Sequence, residues 1–428
     1  MNQNLKRLLL ILFGVLTIPS IVFSQAVCNA SSTGFVPVSD LGKGMFVNAW
    51  NESWQGGLYP GGSNKMPEEH KLAGLLLAGQ VRRVDTNGNA DALNGKIVWL
   101  SIGMSNTTQE TQQFISLANA FQNRNQGLKF VDGAQGGMTA GIISTPGSSG
   151  YSTFWNTVSS RLTSGGATAA QVQVIWLKEA DAAGNTPLRS YYDSLYTRHI
   201  RILHEIRARF PNAKLCYISS RISGRYASST LNPEPYAYYS GWVVKRVIEE
   251  QINGNSQLRF SGSGANSPWI AWGPYFWSDG SNPQKTDPEV FWKCPADFQS
   301  DGTHPSSPEG AGKAGTLLLN FFSKDSTTQS WFLKQGVSSL ASLSGNRKYK
   351  CTLVPNPFSV YSVLRTGISF RNATLVVFNS SGQKVRQLDN LSGDTFTIFR
   401  EDLTEGAYFL QLTQDEDVLS TLKMVITE

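Results

Sequence analysis

Two short segments, far apart in the chain, carry the residue types that nucleophilic chemistry needs. Ser105 lies in the segment Gly103-Met-Ser-Asn106, and both Asp301 and His304 lie in Asp301-Gly-Thr-His-Pro305. A serine hydroxyl becomes a nucleophile when a histidine removes its proton and a carboxylate orients the imidazole. The sequence therefore predicts a triad of Ser105, His304 and Asp301 that attacks acyl esters, provided that the fold brings the two segments together.

The elements beside these segments predict how they are held. Lys96–Ile102, just before Ser105, is largely apolar, which indicates a strand buried on both faces. We predict that a helix follows over Glu110–Asn123. After His304, Ser307 and Pro308 are suited to the N-cap and the first position of a last helix. This arrangement would fix the histidine-bearing loop against a rigid element.

Apolar runs alternate with helical patterns between about residues 95 and 325. Strands that are apolar on both faces and separated by helices predict an α/β fold with a parallel sheet covered on both sides. Ligand sites in such folds lie at the carboxyl ends of the strands, and the motif residues fall there. The further predicted elements are the strands Leu128–Asp132, Val172–Leu177 and Leu215–Ser219 and the helix Tyr191–Phe210.

Taken together, the two segments resemble the first and last motifs of the SGNH (GDSL-like) hydrolase superfamily. The Gly-x-Ser-Asn form, preceded by Trp99-Leu100, is closest to the carbohydrate acetylesterase branch. The resemblance implies a flavodoxin-like three-layer sandwich and a reaction that needs no cofactor and no metal. It also implies an oxyanion hole built from the backbone amides of Ser105 and of Gly137, which lies in the glycine-rich segment Asp132–Thr139. Asp181 is a further candidate for that hole.

The third motif departs from the pattern of the superfamily. Lys178-Glu-Ala-Asp181 stands where Gly-x-Asn-Asp is expected, and it fits the Gly-Glu-x-Asp of the acetylesterase branch except at its first residue. An ionised carboxylate beside an oxyanion would oppose catalysis, so Glu179 or Asp181 must face elsewhere or be protonated. Polar and aromatic segments near the motifs suit sugar rings. The predicted substrate-binding residues are Asn106, Glu179, Arg221 and Trp277.

The N-terminus is typical of a cleaved signal peptide. Lys6 and Arg7 precede the apolar run Leu8–Phe23, and Ser24 is small enough to precede the cleavage site. We therefore predict a signal peptide over residues 1–24 and no transmembrane segment in the mature chain. The formal net charge of +6 falls to +4 without Lys6 and Arg7, and the remaining basic residues are dispersed, which argues against a nucleic-acid partner.

The chain changes character after Trp331. Residues 336–350, rich in Ser, Gly and Lys, form a predicted linker between a hydrolase-like domain over residues 25–335 and a tail over residues 351–428. Short β-rich runs separated by polar turns predict a β-sandwich in the tail. The predicted strands are Thr374–Phe378, Val385–Leu388, Thr395–Phe399, Tyr408–Thr413 and Thr421–Ile426.

The tail resembles the C-terminal sorting domains of type IX secretion substrates. The matching pieces are Pro355-Asn-Pro-Phe358, the polar turn Asn379-Ser-Ser-Gly382, and the two closing β-runs, in that order. The resemblance implies that the type IX machinery of a Gram-negative bacterium carries the protein to the cell surface or the exterior. The alternative is an accessory sandwich that binds carbohydrate.

Three functions remain open. The resemblance implies a secreted serine ester hydrolase that acts on a carbohydrate ester or another small acyl ester. The altered third motif motivates the alternative of a non-catalytic surface glycan-binding protein on a decayed hydrolase fold. A lipid acylhydrolase is a weaker possibility, because the loops are aromatic rather than aliphatic. Four cysteines are few for a disulfide scaffold, and no cluster of His and Cys indicates a metal.

Overall fold

The computed structural model describes residues 26–182, 184–334, 351–379, 383–414 and 417–428. The predicted signal peptide and linker lie outside these residues. The α-helices are α1 Val38–Leu41, α2 Glu68–Ala78, α3 Ser105–Ala120, α4 Ala140–Ile143, α5 Tyr151–Ser164, α6 Leu188–Arg209, α7 Tyr236–Ile252, α8 Glu309–Lys324 and α9 Gln329–Phe332. The strands are β1 Met45–Val47, β2 Ser53–Gln55, β3 Ile97–Gly103, β4 Leu128–Asp132, β5 Val172–Lys178, β6 Leu215–Ile218, β7 Trp269–Trp272, β8 Thr352–Val354, β9 Tyr361–Phe378, β10 Lys384–Phe399, β11 Gly406–Gln414 and β12 Asp417–Ile426.

A five-stranded parallel sheet forms the centre of the first domain. Its strand order is β4-β3-β5-β6-β7, and every neighbouring pair is parallel. The chain therefore enters this sheet at β3, continues to β4 on one side of β3, and then crosses to β5 on the other side of β3. This is the flavodoxin-like strand order. This confirms the predicted α/β class. It also brings the loops after β3, β4 and β5 together at one edge of the sheet.

Apolar side chains cover both faces of this sheet. Along β3, Val98 and Leu100 pack into the core on one face, whereas Trp99 packs on the other against Phe114 of α3, with ring centroids 5.0 Å apart. All seven residues of β3 are buried. A strand buried on both faces cannot alternate polar and apolar residues, which is why these strands are continuous apolar runs in the sequence.

The helix after β3 begins earlier than predicted. It starts at Ser105 rather than Glu110. The prediction missed this start because the first two turns bury polar side chains instead of apolar ones. Asn106, Thr107 and Glu110 all face the interior, so hydrophobic periodicity does not reveal this part of the helix. The nucleophile candidate is therefore the first residue of a helix.

A disulfide joins Cys28 to Cys294, with the two Cα atoms 5.1 Å apart. It ties the N-terminal arm of the domain to the loop that leads into the Asp301 segment. The sequence left the pairing open. Cys216 and Cys351 are buried thiols.

The tail, predicted as a β-sandwich, is an antiparallel β-domain. Its strands pair in the order β10-β9-β11-β12, with β8 also on β9. The runs Val385–Leu388 and Thr395–Phe399, predicted as two strands, belong to the single strand β10, which bulges where Asn390 and Gly393 adopt positive φ angles. The predicted turn at 380–382 lies outside the described residues.

Candidate active site

The turn between β3 and α3 presents Ser105 at the carboxyl edge of the sheet. A Cβ atom on Gly103 would lie 2.3 Å from the carbonyl oxygen of Lys178 and 2.4 Å from Oγ1 of Thr107. Only glycine therefore fits at this point of close approach. Thr107 donates a hydrogen bond of 2.7 Å to the Lys178 carbonyl, which fixes the start of α3 against the end of β5.

The structure brings the three predicted triad residues into contact. Oγ of Ser105 lies 2.6 Å from Nε2 of His304, and Nδ1 of His304 lies 2.5 Å from Oδ2 of Asp301. With the imidazole proton on Nδ1, His304 donates to Asp301 and Nε2 is free to accept the serine proton. These are the distances that a nucleophile, its base and the group that orients the base require.

Asp301 is held as an anion by its own loop. Burial alone would raise the pKa of its carboxyl, but hydrogen bonds from the side chain and backbone of His304 and from the Thr303 N–H outweigh burial and lower the pKa to about 2. Both backbone donors lie 3.0 Å from Oδ1. The same carboxylate thus shapes the loop and orients the imidazole.

The helix after His304 is capped differently from the prediction. It begins at Glu309, with Pro308 before it, and Oγ of Ser306 accepts a hydrogen bond from the Gly310 N–H at 3.0 Å. The sequence predicts Ser307 as the cap and Pro308 as the first helical residue, whereas Pro308 precedes the helix and the hydroxyl near its start belongs to Ser306. The prediction that a rigid helix follows the histidine loop holds.

Gly137, the predicted oxyanion donor, lines the same pocket as Ser105. It adopts a φ of 76° in the loop after β4, and its neighbour Gly136 approaches the Cβ of Ser105. Neither the Ser105 N–H nor the Gly137 N–H hydrogen-bonds to another described residue. Both amides therefore lack a backbone or side-chain acceptor among the described residues.

The altered third motif forms a buried ion pair. Lys178 donates to Glu110 of α3, and their side chains are 1% and 0% exposed. Burial lowers the pKa of Lys178 to about 8, although Glu110 opposes that shift. This lysine is a structural member of the interior and does not reach the pocket.

The two carboxyls of the third motif, Asp181 and Glu179, have different hydrogen-bond partners. Asp181 accepts hydrogen bonds from the Gly141 N–H at 2.8 Å and from Arg198 at 2.5 Å. A carboxylate with these partners is an acceptor, so Asp181 is unsuited to donate to an oxyanion. Glu179 is buried, which raises its pKa well above the ordinary value, and one of its oxygens accepts from the Ala180 N–H. The neutral form of Glu179 does not oppose a developing negative charge, whereas Asp181 lines the pocket with its two oxygens bonded to Gly141 and Arg198.

Among the predicted substrate-binding residues, only Arg221 lines the pocket. Trp277 is fully buried, with its indole N–H donating to Glu234 at 2.8 Å, and it does not line this pocket. Asn106 and Glu179 are buried below the helix start and the third motif. Nδ2 of Asn106 and Oε2 of Glu179 are buried there without a hydrogen-bond partner.

The pocket around Ser105 has a volume of about 180 Å³. The sequence also predicts that the segment Asn232–Tyr238 shapes the pocket, but it assigns no role to Asn232 itself. In the structure Asn232 lines the pocket, adopts a φ of 61° and donates to the Asp181 carbonyl and to the Tyr191 hydroxyl. The lining residues are Met104, Ser105, Gly137, Thr139, Asp181, Ala182, Arg221, Leu231, Asn232, Thr303 and His304.

A second, larger cavity of about 580 Å³ lies beyond the first turn of α6. Tyr191 contacts Asn232 of the pocket, whereas the next residue, Tyr192, lines the larger cavity and stacks on Trp54 at 4.7 Å. Trp50 and Trp242 also line it, together with charged groups of both signs. Aromatic walls with polar groups at their edges suit a sugar.

Comparison with known proteins identifies the tail. Residues 352–427 match the family described as the secretion system C-terminal sorting domain. This confirms the predicted sorting domain, which directs export through the type IX machinery to the cell surface or the exterior. No helix among the described residues is long and apolar enough to cross a membrane, and no group of potential metal ligands occurs among them.

Solved structures resemble parts of the chain only distantly. A proposed acylhydrolase from Bacteroides fragilis is 13% identical, with 60% of this chain and 97% of that chain covered and a TM-score of 0.32. An extracellular lipase from Streptomyces rimosus is 11% identical, with 52% and 99% covered and a TM-score of 0.26. An immunoglobulin-like β-sandwich protein from Bacteroides vulgatus is 15% identical, with 19% and 96% covered and a TM-score of 0.15. No curated protein matches the sequence.

Proposed function

We propose that the protein is an exported serine ester hydrolase that removes acyl groups from carbohydrate esters. The observation that carries the proposal is the chain of contacts from Ser105 through His304 to Asp301, at 2.6 and 2.5 Å. It lies in a pocket and needs no cofactor. The sorting domain supports an extracellular substrate.

The reaction begins with attack by Oγ of Ser105 on the ester carbonyl carbon. His304 takes the serine proton at Nε2 as the new C–O bond forms, and Asp301 stabilises the imidazolium. The carbonyl oxygen becomes an oxyanion that the amides of Ser105 and Gly137 stabilise; removal of one such donor typically costs about 100- to 1000-fold in kcat.

The intermediate then collapses and His304 returns the proton to the leaving alcohol. Water, activated by His304, attacks the acylated Ser105 in the same manner and releases the carboxylic acid. Asp301 keeps one orientation of the imidazole throughout, so the same Nε2 serves both half-reactions.

The test is hydrolysis of 4-nitrophenyl acetate and acetylated xylan by the full chain, with Ser105→Ala beside it. Ser160→Ala is the matched control, because Ser160 is exposed on α5 and away from the pocket. Activity that is lost in Ser105→Ala and kept in Ser160→Ala supports the proposal. Equal activity in all three proteins, or none in any, would contradict it.

The larger cavity favours a second candidate function, the binding of glycans without catalysis. Its tryptophans and charged groups would hold a sugar ring by stacking and hydrogen bonds. Binding of xylan fragments that is weakened by Trp54→Ala, in a chain that hydrolyses no ester, would favour this reading.

A further inference from the structure

Arg221 is a buried cation without a partner. Its side chain lies just beyond the end of β6, and the residue is 5% exposed. Among the described residues it makes no hydrogen bond and no ion pair, and its Nε is buried without any acceptor. Burial of an unpaired guanidinium is strongly unfavourable, so a protein that keeps one gains something from it elsewhere.

The carboxyls nearest to Arg221 are already engaged. Glu110 pairs with Lys178, and Asp301 holds His304. Glu179 accepts from the Ala180 N–H, and burial raises its pKa well above the ordinary value, which favours its neutral form. All three are close enough to affect the pKa of Arg221, yet none reaches hydrogen-bonding distance. The surrounding protein therefore attracts the guanidinium of Arg221 from a distance but gives it no directly hydrogen-bonded counter-ion.

The unpartnered guanidinium lies in the wall of the candidate active site. Arg221 lines the same 180 Å³ pocket as Ser105 and His304. Asn232 lines the same pocket, and its Oδ1 is also buried without a hydrogen-bond donor. The pocket wall thus contains a guanidinium that no acceptor of the described residues pairs with.

We propose that Arg221 binds a carboxylate of the substrate, so that this site prefers esters that carry a negative charge. The inference rests on the proposed ester hydrolysis and names its substrate class. A guanidinium binds a carboxylate through two parallel hydrogen bonds, which are stronger than those to a neutral group. The carboxylate belongs either to the acyl group, as in a half-ester of a dicarboxylic acid, or to the alcohol, as in an acylated uronic acid.

Two pairs of substrates distinguish these sources. The acyl pair is 4-nitrophenyl hemisuccinate and its methyl ester, 4-nitrophenyl methyl succinate. The alcohol pair is O-acetylated glucuronic acid and its methyl ester, with released acetate measured. We expect kcat/KM to be at least about tenfold higher for the charged member of one pair, as a charge-assisted contact provides. No preference in either pair overturns the proposal.

Variants of Arg221 test whether that residue is the cause. In Arg221→Gln the preference should disappear because kcat/KM falls mainly for the charged ester, and Arg221→Lys should retain part of it. Arg201→Gln is the control, because Arg201 is an exposed arginine of α6 that lines neither cavity. If Arg221→Gln lowers the rates of charged and neutral esters equally, Arg221 stabilises the oxyanion or the fold, and the proposal is wrong.

A binding measurement separates failure of this inference from failure of the proposed function. In Ser105→Ala, which cannot turn over an ester by this mechanism, succinate or glucuronate should raise the melting temperature, since a ligand stabilises the state that it binds. The added change Arg221→Gln should remove the shift, and the corresponding methyl esters should give none. A shift that persists in the double variant contradicts the inference even if no ester is hydrolysed.

Discussion

Oγ of Ser105 lies 2.6 Å from Nε2 of His304, although 199 residues separate them in the chain. The contact exists because β3 ends at the same edge of the sheet that the loop before α8 reaches. A site assembled from such distant segments depends on the fold of the whole domain. Substitutions of the residues that position Ser105 and His304 should therefore change both the stability of the domain and the rate of ester hydrolysis.

Asp301→Asn should lower kcat by about 10⁴-fold, because an amide no longer fixes the imidazole tautomer. The measurement is kcat on 4-nitrophenyl acetate. Asp287→Asn is the control, because Asp287 is exposed, whereas Asp297 is unsuitable because it pairs with Lys313. A loss below tenfold would contradict the role of Asp301 as the orienting group.

The pH dependence of stability should also report Asp301. Its pKa in the folded protein, about 2, lies below the ordinary value of 3.8, so the ionised form stabilises the fold at pH values above the ordinary pKa. That contribution is lost as pH falls from about 4 toward 2. The difference in unfolding free energy between wild type and Asp301→Asn, measured by urea unfolding, should therefore shrink as the pH falls from about 4 toward 2.

Gly103→Ala should destabilise the protein by about 1–3 kcal/mol or more, because the added methyl group overlaps the Lys178 carbonyl. Gly312→Ala is the matched control, since nothing lies within 4 Å of a Cβ there and alanine favours a helix by about 1 kcal/mol. Thermal unfolding of both variants checks this prediction. Equal stability of the two would show that the turn after β3 relaxes freely.

The buried pair of Lys178 and Glu110 should be costly to break singly. Lys178→Met should lower the unfolding free energy by about 3–5 kcal/mol, because it leaves Glu110 buried without its partner. The double variant Lys178→Met, Glu110→Leu should recover much of that loss. Additive losses in the double variant would contradict this account of the third motif.

Reduction of the bond between Cys28 and Cys294 should destabilise the first domain. Loss of a native disulfide typically costs about 2–5 kcal/mol. Cys28→Ser, compared with wild type by chemical unfolding, gives the cost. Cys216→Ser is the control, because Cys216 is a buried thiol that forms no disulfide. If Cys28→Ser costs no more unfolding free energy than Cys216→Ser, the N-terminal arm does not stabilise the domain.

The sheet and the triad could be predicted because their signals are local and chemically specific. Buried strands are continuous apolar runs. Ser105, Asp301 and His304 are the three residue types of a catalytic triad, a combination that few other kinds of site require. The start of α3 could not be predicted, since polar residues face the interior there. The burial of Trp277 and the isolation of Arg221 depend on side chains from distant segments, which no local pattern encodes.

The disulfide has a consequence for a protein that works outside the cell, where proteases are present. Cys28 and Cys294 are separated by 266 positions in the sequence, and Ser105 lies between them. A single cut in any loop between the two cysteines leaves two pieces that remain covalently joined, one with Cys28 and the other with Cys294 and His304. A nicked molecule therefore keeps its nucleophile and its base on one particle and can retain its fold without an intact main chain.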